Sequence, residues 1–281
     1  MLYKWLLPLV LLLTFGVANA NMQKVTGDIV FIIDESGSMA GDISAVKANA
    51  KAIFNYLKGQ GDFKVGVVSF GGYGQNPRVV CPLTDNATEF EKCIDSITAG
   101  GGYQPGFDAV VLATNKSSVG LRGVASCMVL ITDEDADKGV YTKTDAVNAL
   151  NSVPAYFIGI FDPNFGSAQN DYGVPNGLAG LASAGGVQIN LADFRADYNG
   201  TLKIILMNCT QAIQNVTTQC NDGIDNDGDG LIDYPNDPGC LSPQDNDEKD
   251  QTIAASEFPQ FAVALVGLLG GIAVLARKRM R

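Results

Sequence analysis

From Asp28 onward, apolar runs of strand length alternate with amphipathic stretches of helical period, and this alternation restricts the chain to an α/β architecture with a mainly parallel sheet. DIVFII, FKVGVVSF, ASCMVLIT and AYFIGIF read as buried strands, VVCPLT as an edge strand and VQIN as a last short strand. Between the first two runs, the stretch 41–58 sets Ile43, Val46, Ala50, Ile53, Phe54 and Leu57 on one helical face and turns Lys47, Lys51 and Lys58 away from it. Helices are also expected over TEFEKCIDSI, which is short, and around TKTDAVNAL, with the segment NGLAGLAS following the last buried strand. PGFDAVVLATN should be opened by Pro105, whose missing donor is no loss in a first turn, and one long helix should run from Asp193 to Gln214.

The charge balance narrows what such a domain can bind. Lys and Arg number 19 against 30 Asp and Glu, a net charge of −11, so the surface repels polyanions and nucleic acid is excluded as a partner. The 281 residues contain no His, which removes the commonest general base, the Ser-His and Cys-His nucleophile pairs and the imidazole metal ligands. Oxygen ligation is what remains for a metal, and an enzyme is not expected.

Both ends carry apolar segments. Residues 1–20 have Lys4, an apolar run through Leu13, and small residues at Ala18 and Ala20, the layout of a signal peptide, with the mature chain starting near Asn21. Residues 258–276 form a second apolar run, followed at once by a basic tail, 277–281, containing Arg277, Lys278, Arg279 and Arg281. The expectation is a single-pass helix with its amino end outside and its basic end inside, contacting the membrane and placing the protein at the cell surface. Residues 251–257 precede it as a stalk, and SEFPQ, which straddles the junction at 256–260, resembles archaeal carboxy-terminal sorting signals, which implies processing and surface attachment.

Six Cys in an exported chain favour disulfides. Cys81 with Cys93 and Cys220 with Cys240 flank short loops and are the first choices; Cys127 and Cys209 are left, either as a third pair or with Cys127 a buried thiol on a strand. Sequons at Asn86, Asn115, Asn199, Asn208 and Asn215 fit an extracellular glycoprotein.

The chemistry concentrates at the end of the first strand. GDIVFIIDESGSM presents Asp34, Ser36 and Ser38 in the spacing D-x-S-x-S immediately after a buried run, where the loops of an open α/β sheet converge on ligands. One carboxylate and two hydroxyls suit a hard divalent cation such as Mg2+, although the same residues also cap helices. A nucleotide hydrolase is excluded, because no G-x-x-x-x-G-K-[ST] loop exists in the chain. Strand-D-E-S-G-S-M, the amphipathic helix, FKVGVVSF, the Gly-rich loop and VLITDEDAD together resemble the von Willebrand factor A family over residues 27–215. The resemblance implies a doubly wound, Rossmann-like sheet flanked by helices, with a metal-ion-dependent adhesion site holding Mg2+ or Mn2+. It makes Ser36 and Ser38 direct ligands, has Asp34 act through water or support them, and has Asp133 supply a distant carboxylate. Where the family places Thr or Glu, the loop AGGGYQPGFDAV has neither, so Tyr103, Gln104 or water is the substitute. Glu134 stands where many members have Gly, adding charge near the open position.

Composition changes abruptly at 219–250. CNDGIDNDGDGLIDYPNDPGC sets Asp225, Asp227 and Asp229 at alternate positions, then Gly230, the Leu231 carbonyl and Asp233, matching the first nine positions of an EF-hand loop. Asn236 rather than Glu stands twelfth, and the segment is closer to thrombospondin type 3 or dockerin-like repeats, with Asp222 and Asp237 as extra Ca2+ ligands. The expected function is a cell-surface adhesion or ligand-binding module whose metal engages an acidic group on an extracellular protein or glycan. The alternative is an envelope or appendage component that self-assembles through the A-type domain.

Overall fold

The computed structural model describes residues 25–73, 77–153, 155–216, 218–221, 223–241, 245 and 247–249. The expected signal peptide at 1–20, Asp222, and the expected stalk and membrane helix at 251–257 and 258–276 lie outside the described residues. Among those that are described, no helix is long and apolar enough to cross a membrane. The chain divides into two compact units, Met1–Gln214 and Asn215–Arg281.

The first unit is a six-stranded sheet. Its strands are β1 (Val25–Asp34), β2 (Gly61–Phe70), β3 (Arg78–Thr84), β4 (Ser126–Ile131), β5 (Ala155–Phe161) and β6 (Gly186–Asn190), in the order β3-β2-β1-β4-β5-β6. All pairings are parallel except that of β3 with β2 at the edge. The helices are α1 (Ala40–Gln60), α2 (Ala87–Asp95), α3 (Gly106–Ala113), α4 (Lys143–Ser152), α5 (Ala168–Tyr172), α6 (Leu178–Leu181), α7 (Leu191–Ala196) and α8 (Tyr198–Val216).

The central strand shows why the apolar runs are unbroken. Ile29 through Ile33 of β1 are all at most 2% exposed, because helices cover both faces. Val30 and Ile32 belong to a core with Ala109 and Val110 of α3 and Ala146 and Leu150 of α4. On the opposite face Phe31 meets Phe90 of α2, which in turn meets Phe54 of α1, at ring separations of 6.5 and 6.0 Å. All six apolar residues assigned to the inner face of α1 are buried. Cys127–Cys209 ties β4 to α8 and Cys81–Cys93 ties β3 to α2.

The expected single helix from Asp193 to Gln214 is two helices. Asp197 takes φ −148° and ψ 82° and ends α7. Its carboxylate then accepts from the Gly200 amide at 2.9 Å and its carbonyl from Thr201, so the short Asp side chain competes with the helical ladder and starts α8.

At the amino end of β1 the fully buried Asp28 accepts from the Arg122 backbone at 2.8 Å and from its Nε at 2.7 Å. Burial still raises its pKa above the usual carboxylate value, outweighing the stabilisation from Arg122.

Candidate metal centre

Strand order reverses about β1: β2 and β3 lie on one side, β4 to β6 on the other, so the loops leaving β1 and β4 diverge around a crevice at their carboxyl ends. Asp34 closes β1 and is completely buried. The Ser36 amide donates to its Oδ1 at 2.7 Å and the Thr132 hydroxyl, just beyond β4, to its Oδ2 at 2.8 Å. The Ser36 and Ser38 hydroxyls are 3.1 Å apart, and Ser38 Oγ donates to Asp133 Oδ1 at 3.2 Å. Ser36, Ser38 and Asp133 therefore form a run of oxygens across two loops, with Ser38 and Asp133 separated by 95 residues in sequence, and Asp34 joins it through the Ser36 amide.

Neighbouring backbone holds this loop in place. The Glu35 amide donates to the Phe70 carbonyl at 2.6 Å, the Gly100 amide donates to the Glu35 carbonyl at 2.7 Å, and Arg78 pairs with the Glu35 side chain. Gly71, the residue after β2, has φ +83°, and a Cβ there would stand 2.4 Å from Asp34 Oδ1. Both the left-handed backbone and the close carboxylate require glycine.

The loop after α2 brings Gln104 into the centre and turns Tyr103 out of it. Tyr103 is 51% exposed and donates its hydroxyl to the Lys138 carbonyl. Gln104 is 1% exposed; its amide donates to Asp137 Oδ2 at 2.7 Å and its carbonyl accepts from the Asp137 amide at 2.9 Å. Its Cγ lies 3.3 Å from the point where a Gly71 Cβ would sit, beside Asp34 Oδ1 and the Ser36 amide. Its Oε1 is buried without a hydrogen-bond partner. A buried amide oxygen left without a donor is costly, and a cation would satisfy it.

Carboxylates crowd this end of the sheet. Burial pushes Asp34 up to about 6, with a smaller contribution from Asp133, against the lowering effect of Ser36 and Thr132. Partial burial, then Asp133, Asp137 and Asp135, raises Glu134 above its ordinary value. Asp135 and Asp137 have local duties that the run DEDAD does not reveal: Asp135 accepts from the Ser167 amide and hydroxyl, and Asp137 from Gln104. A cation also stands near Asp133. Arg195 of α7 forks onto the buried Asp42 of α1 at 3.0 and 2.7 Å, Tyr198 donates to the same carboxylate, and Arg195 Nη2 is 3.8 Å from Asp133 Oδ2. Thr132, Asp42 and Arg195 escaped the sequence reading, because nothing local marks a residue that acts across the fold.

This donor set fits a hard divalent ion: it is all oxygen and it includes two hydroxyls.

The second unit is an Asp-rich turn structure closed by Cys220–Cys240. Carboxylate oxygens of Asp225, Asp227 and Asp229 lie within 4.8 Å of one another. Asp225 accepts from the Gly228 and Gly230 amides at 2.6 and 2.9 Å, Asp229 from Leu231 at 2.7 Å, and Asp233 from Gly223 at 2.7 Å. Gly230 has φ +93°, the sharp turn expected of that position. Asn236 and Asp237 both donate their amides to the Asp233 carbonyl.

None of the curated proteins compared with the chain matches it. Among solved structures it is similar to the D319A mutant of the PilB minor pilin from Streptococcus sanguinis, with 10% identity and a TM-score of 0.53, covering 70% of this chain. This chain spans only 64% of that pilin's length. It is also similar to the vWF domain of the type V pili tip protein Mfa5 from Porphyromonas gingivalis, with 13% identity and a TM-score of 0.46, over 66% of this chain and 97% of that one. The family model for the von Willebrand factor type A domain matches residues 28–203, well over half of the chain, and the chain belongs to that family.

Proposed function

We propose that this protein is a surface-displayed binding module that uses a divalent ion, Mg2+ or Mn2+, at the crevice between β1 and β4 to engage an acidic group on an extracellular protein or glycan. The observation that carries this is the convergence of the Ser36 and Ser38 hydroxyls with Asp133; Gln104, whose buried Oε1 has no hydrogen-bond partner, stands on the neighbouring loop. Ser36, Ser38 and Gln104 would hold the ion, with Asp34 orienting the loop through the Ser36 amide. A bound ion with few anionic ligands keeps positive charge for a partner's carboxylate. Binding rather than catalysis is the proposed role, since the chain lacks His and so the usual proton shuttle.

The test is calorimetric titration of Mg2+ into wild type and into Ser36→Ala and Ser38→Ala, with capture of acidic surface ligands in Mg2+ or chelator. Both variants should fold, because the strand and helix keep their packing, and both should lose metal and capture. Unchanged metal affinity in both variants, or capture that survives chelation, contradicts the proposal.

A second function, assembly into an appendage, is suggested by the minor pilin whose fold this chain shares. Ordered self-association of the purified protein, insensitive to Ser38→Ala, favours assembly over capture. We further propose that residues 1–20 are a signal peptide, that 258–276 anchor the chain in the membrane after a sorting motif at 251–257, and that the Asp-rich segment 219–250 is a Ca2+-stiffened stalk. Its ligands would be Asp225, Asp227, Asp229, the Leu231 carbonyl and Asp233, with Asp222 a further candidate from the sequence.

A further inference from the structure

Glu248 lies in the run DNDEKD, as polar a stretch as the chain contains, yet it is only 1% exposed. Its two carboxylate oxygens accept from the amides of Asn226 and Asp233, at opposite ends of the Asp-rich turn. The segment comes in close: a Cβ on Gly239 would stand 1.6 Å from the Glu248 carbonyl oxygen, so only glycine admits it there. The Cys220 amide also donates to the Asp245 carbonyl at 3.2 Å. Nothing apolar in residues 245–249 explains why this segment folds back.

Facing Glu248 is Asp237, also 1% exposed. A carboxylate oxygen of Asp237 lies within 4.8 Å of one from Glu248. The Cys240 sulfur is equally near, but it is spent in the disulfide with Cys220 and offers no thiolate. Asp237 Oδ1 accepts from the Gly239 amide at 2.7 Å, whereas Oδ2 is buried with no hydrogen-bond partner. Among the described residues no Lys or Arg pairs with Asp237. Two buried like charges at this range repel strongly unless a proton or a cation stands between them.

We propose that Asp237 and Glu248 form a buried Ca2+ site, separate from Asp225, Asp227 and Asp229, which fastens residues 245–249 onto the Asp-rich turn. Ca2+ suits the site because it takes six to eight oxygens in flexible geometry, so two carboxylates can be supplemented by backbone carbonyls and water. Asp237 Oδ2 accepts no hydrogen bond, so its lone pairs are open to an ion while Oδ1 keeps the Gly239 amide. The site does not depend on the turn itself binding Ca2+.

The experiment counts Ca2+ bound per full-length chain by equilibrium dialysis, with Mg2+ in excess to occupy sites that prefer it. Asp237→Asn and Glu248→Gln should each lose one ion, Asp227→Asn should lose a different one, and Asp227→Asn combined with Asp237→Asn should lose both. Mass mapping of Cys220–Cys240 verifies that each variant has closed its loop. Hydrogen exchange on the wild type adds a measurement free of mutation: Ca2+ should slow exchange at Gly239 and across 245–249. The inference is overturned if Asp237→Asn and Glu248→Gln keep the wild-type count, if all variants lose every ion together, if a shared proton leaves the pair indifferent to Ca2+, or if Ca2+ gives no protection. If only Asp227→Asn keeps the wild-type count, the turn's own Ca2+ assignment fails and this one stands.

Discussion

Asp34 is held between opposing effects: burial disfavours its charge, while the Ser36 amide and the Thr132 hydroxyl favour it, and the balance leaves its pKa at about 6. A carboxyl whose pKa is raised on folding binds its proton more tightly in the folded state. The stability it contributes is fully present below pH 3.8 and is lost as pH rises through about 6. In chelator, wild type should lose on the order of 2–3 kcal/mol relative to Asp34→Asn between about pH 4 and about pH 7, read from denaturant unfolding at each pH. Parallel pH profiles for the two proteins would refute this, and Mg2+ should diminish the difference by favouring the carboxylate. Gln104 allows a separate test. Its main chain is anchored on Asp137, so Gln104→Leu should fold with the loop in place while removing the unpartnered oxygen. Mg2+ affinity should then fall by about tenfold or more, measured by calorimetry.

Between elements, α1 and the segment of α7 and α8 are joined by polar contacts, where the fork of Arg195 and the hydroxyl of Tyr198 converge on Asp42. Asp42 is buried, but the Arg195 side chain is 43% exposed, so water screens part of the attraction. Arg195→Ala should cost about 1–2 kcal/mol in thermal or chemical unfolding, less than a fully buried pair would, because the orphaned Asp42 can admit water. Arg195→Lys should recover little, since an ammonium lacks the fork. The helix break at Asp197 makes this arrangement possible by ending α7 just after Arg195 and starting α8 at Tyr198.

For the whole molecule, the two units differ in what keeps them folded. The first has a continuous core that encloses Cys127–Cys209, with both cysteines at 0% exposure. In the second, Ile224, Leu231, Ile232, Tyr234 and Leu241 are all exposed, so the disulfide Cys220–Cys240 and any bound ion must supply the order that apolar burial does not. In chelator, mild reductant should open Cys220–Cys240 first and expose residues 219–241 to protease while the first unit stays resistant. Thiol labelling with mass mapping checks the order; reduction of Cys127–Cys209 at the same rate would refute it. Ca2+ should delay the first step.

The α/β class and the mainly parallel sheet were legible in the sequence because strand and helix periods are local properties of a few residues, and the inner face of α1 could be named residue by residue for the same reason. Asp34, Ser36 and Ser38 were legible because they share one short loop after a buried run, and Asp133 became so through the likeness of VLITDEDAD to its family. Tertiary structure alone decided that Gln104 rather than Tyr103 turns inward, that Arg195 stands beside Asp133, and that Glu248 returns to face Asp237. Each of these depends on which distant loops the sheet order brings together and on which polar atoms are left buried without partners. Neither quantity exists until the chain has closed, so no window of the sequence contains it.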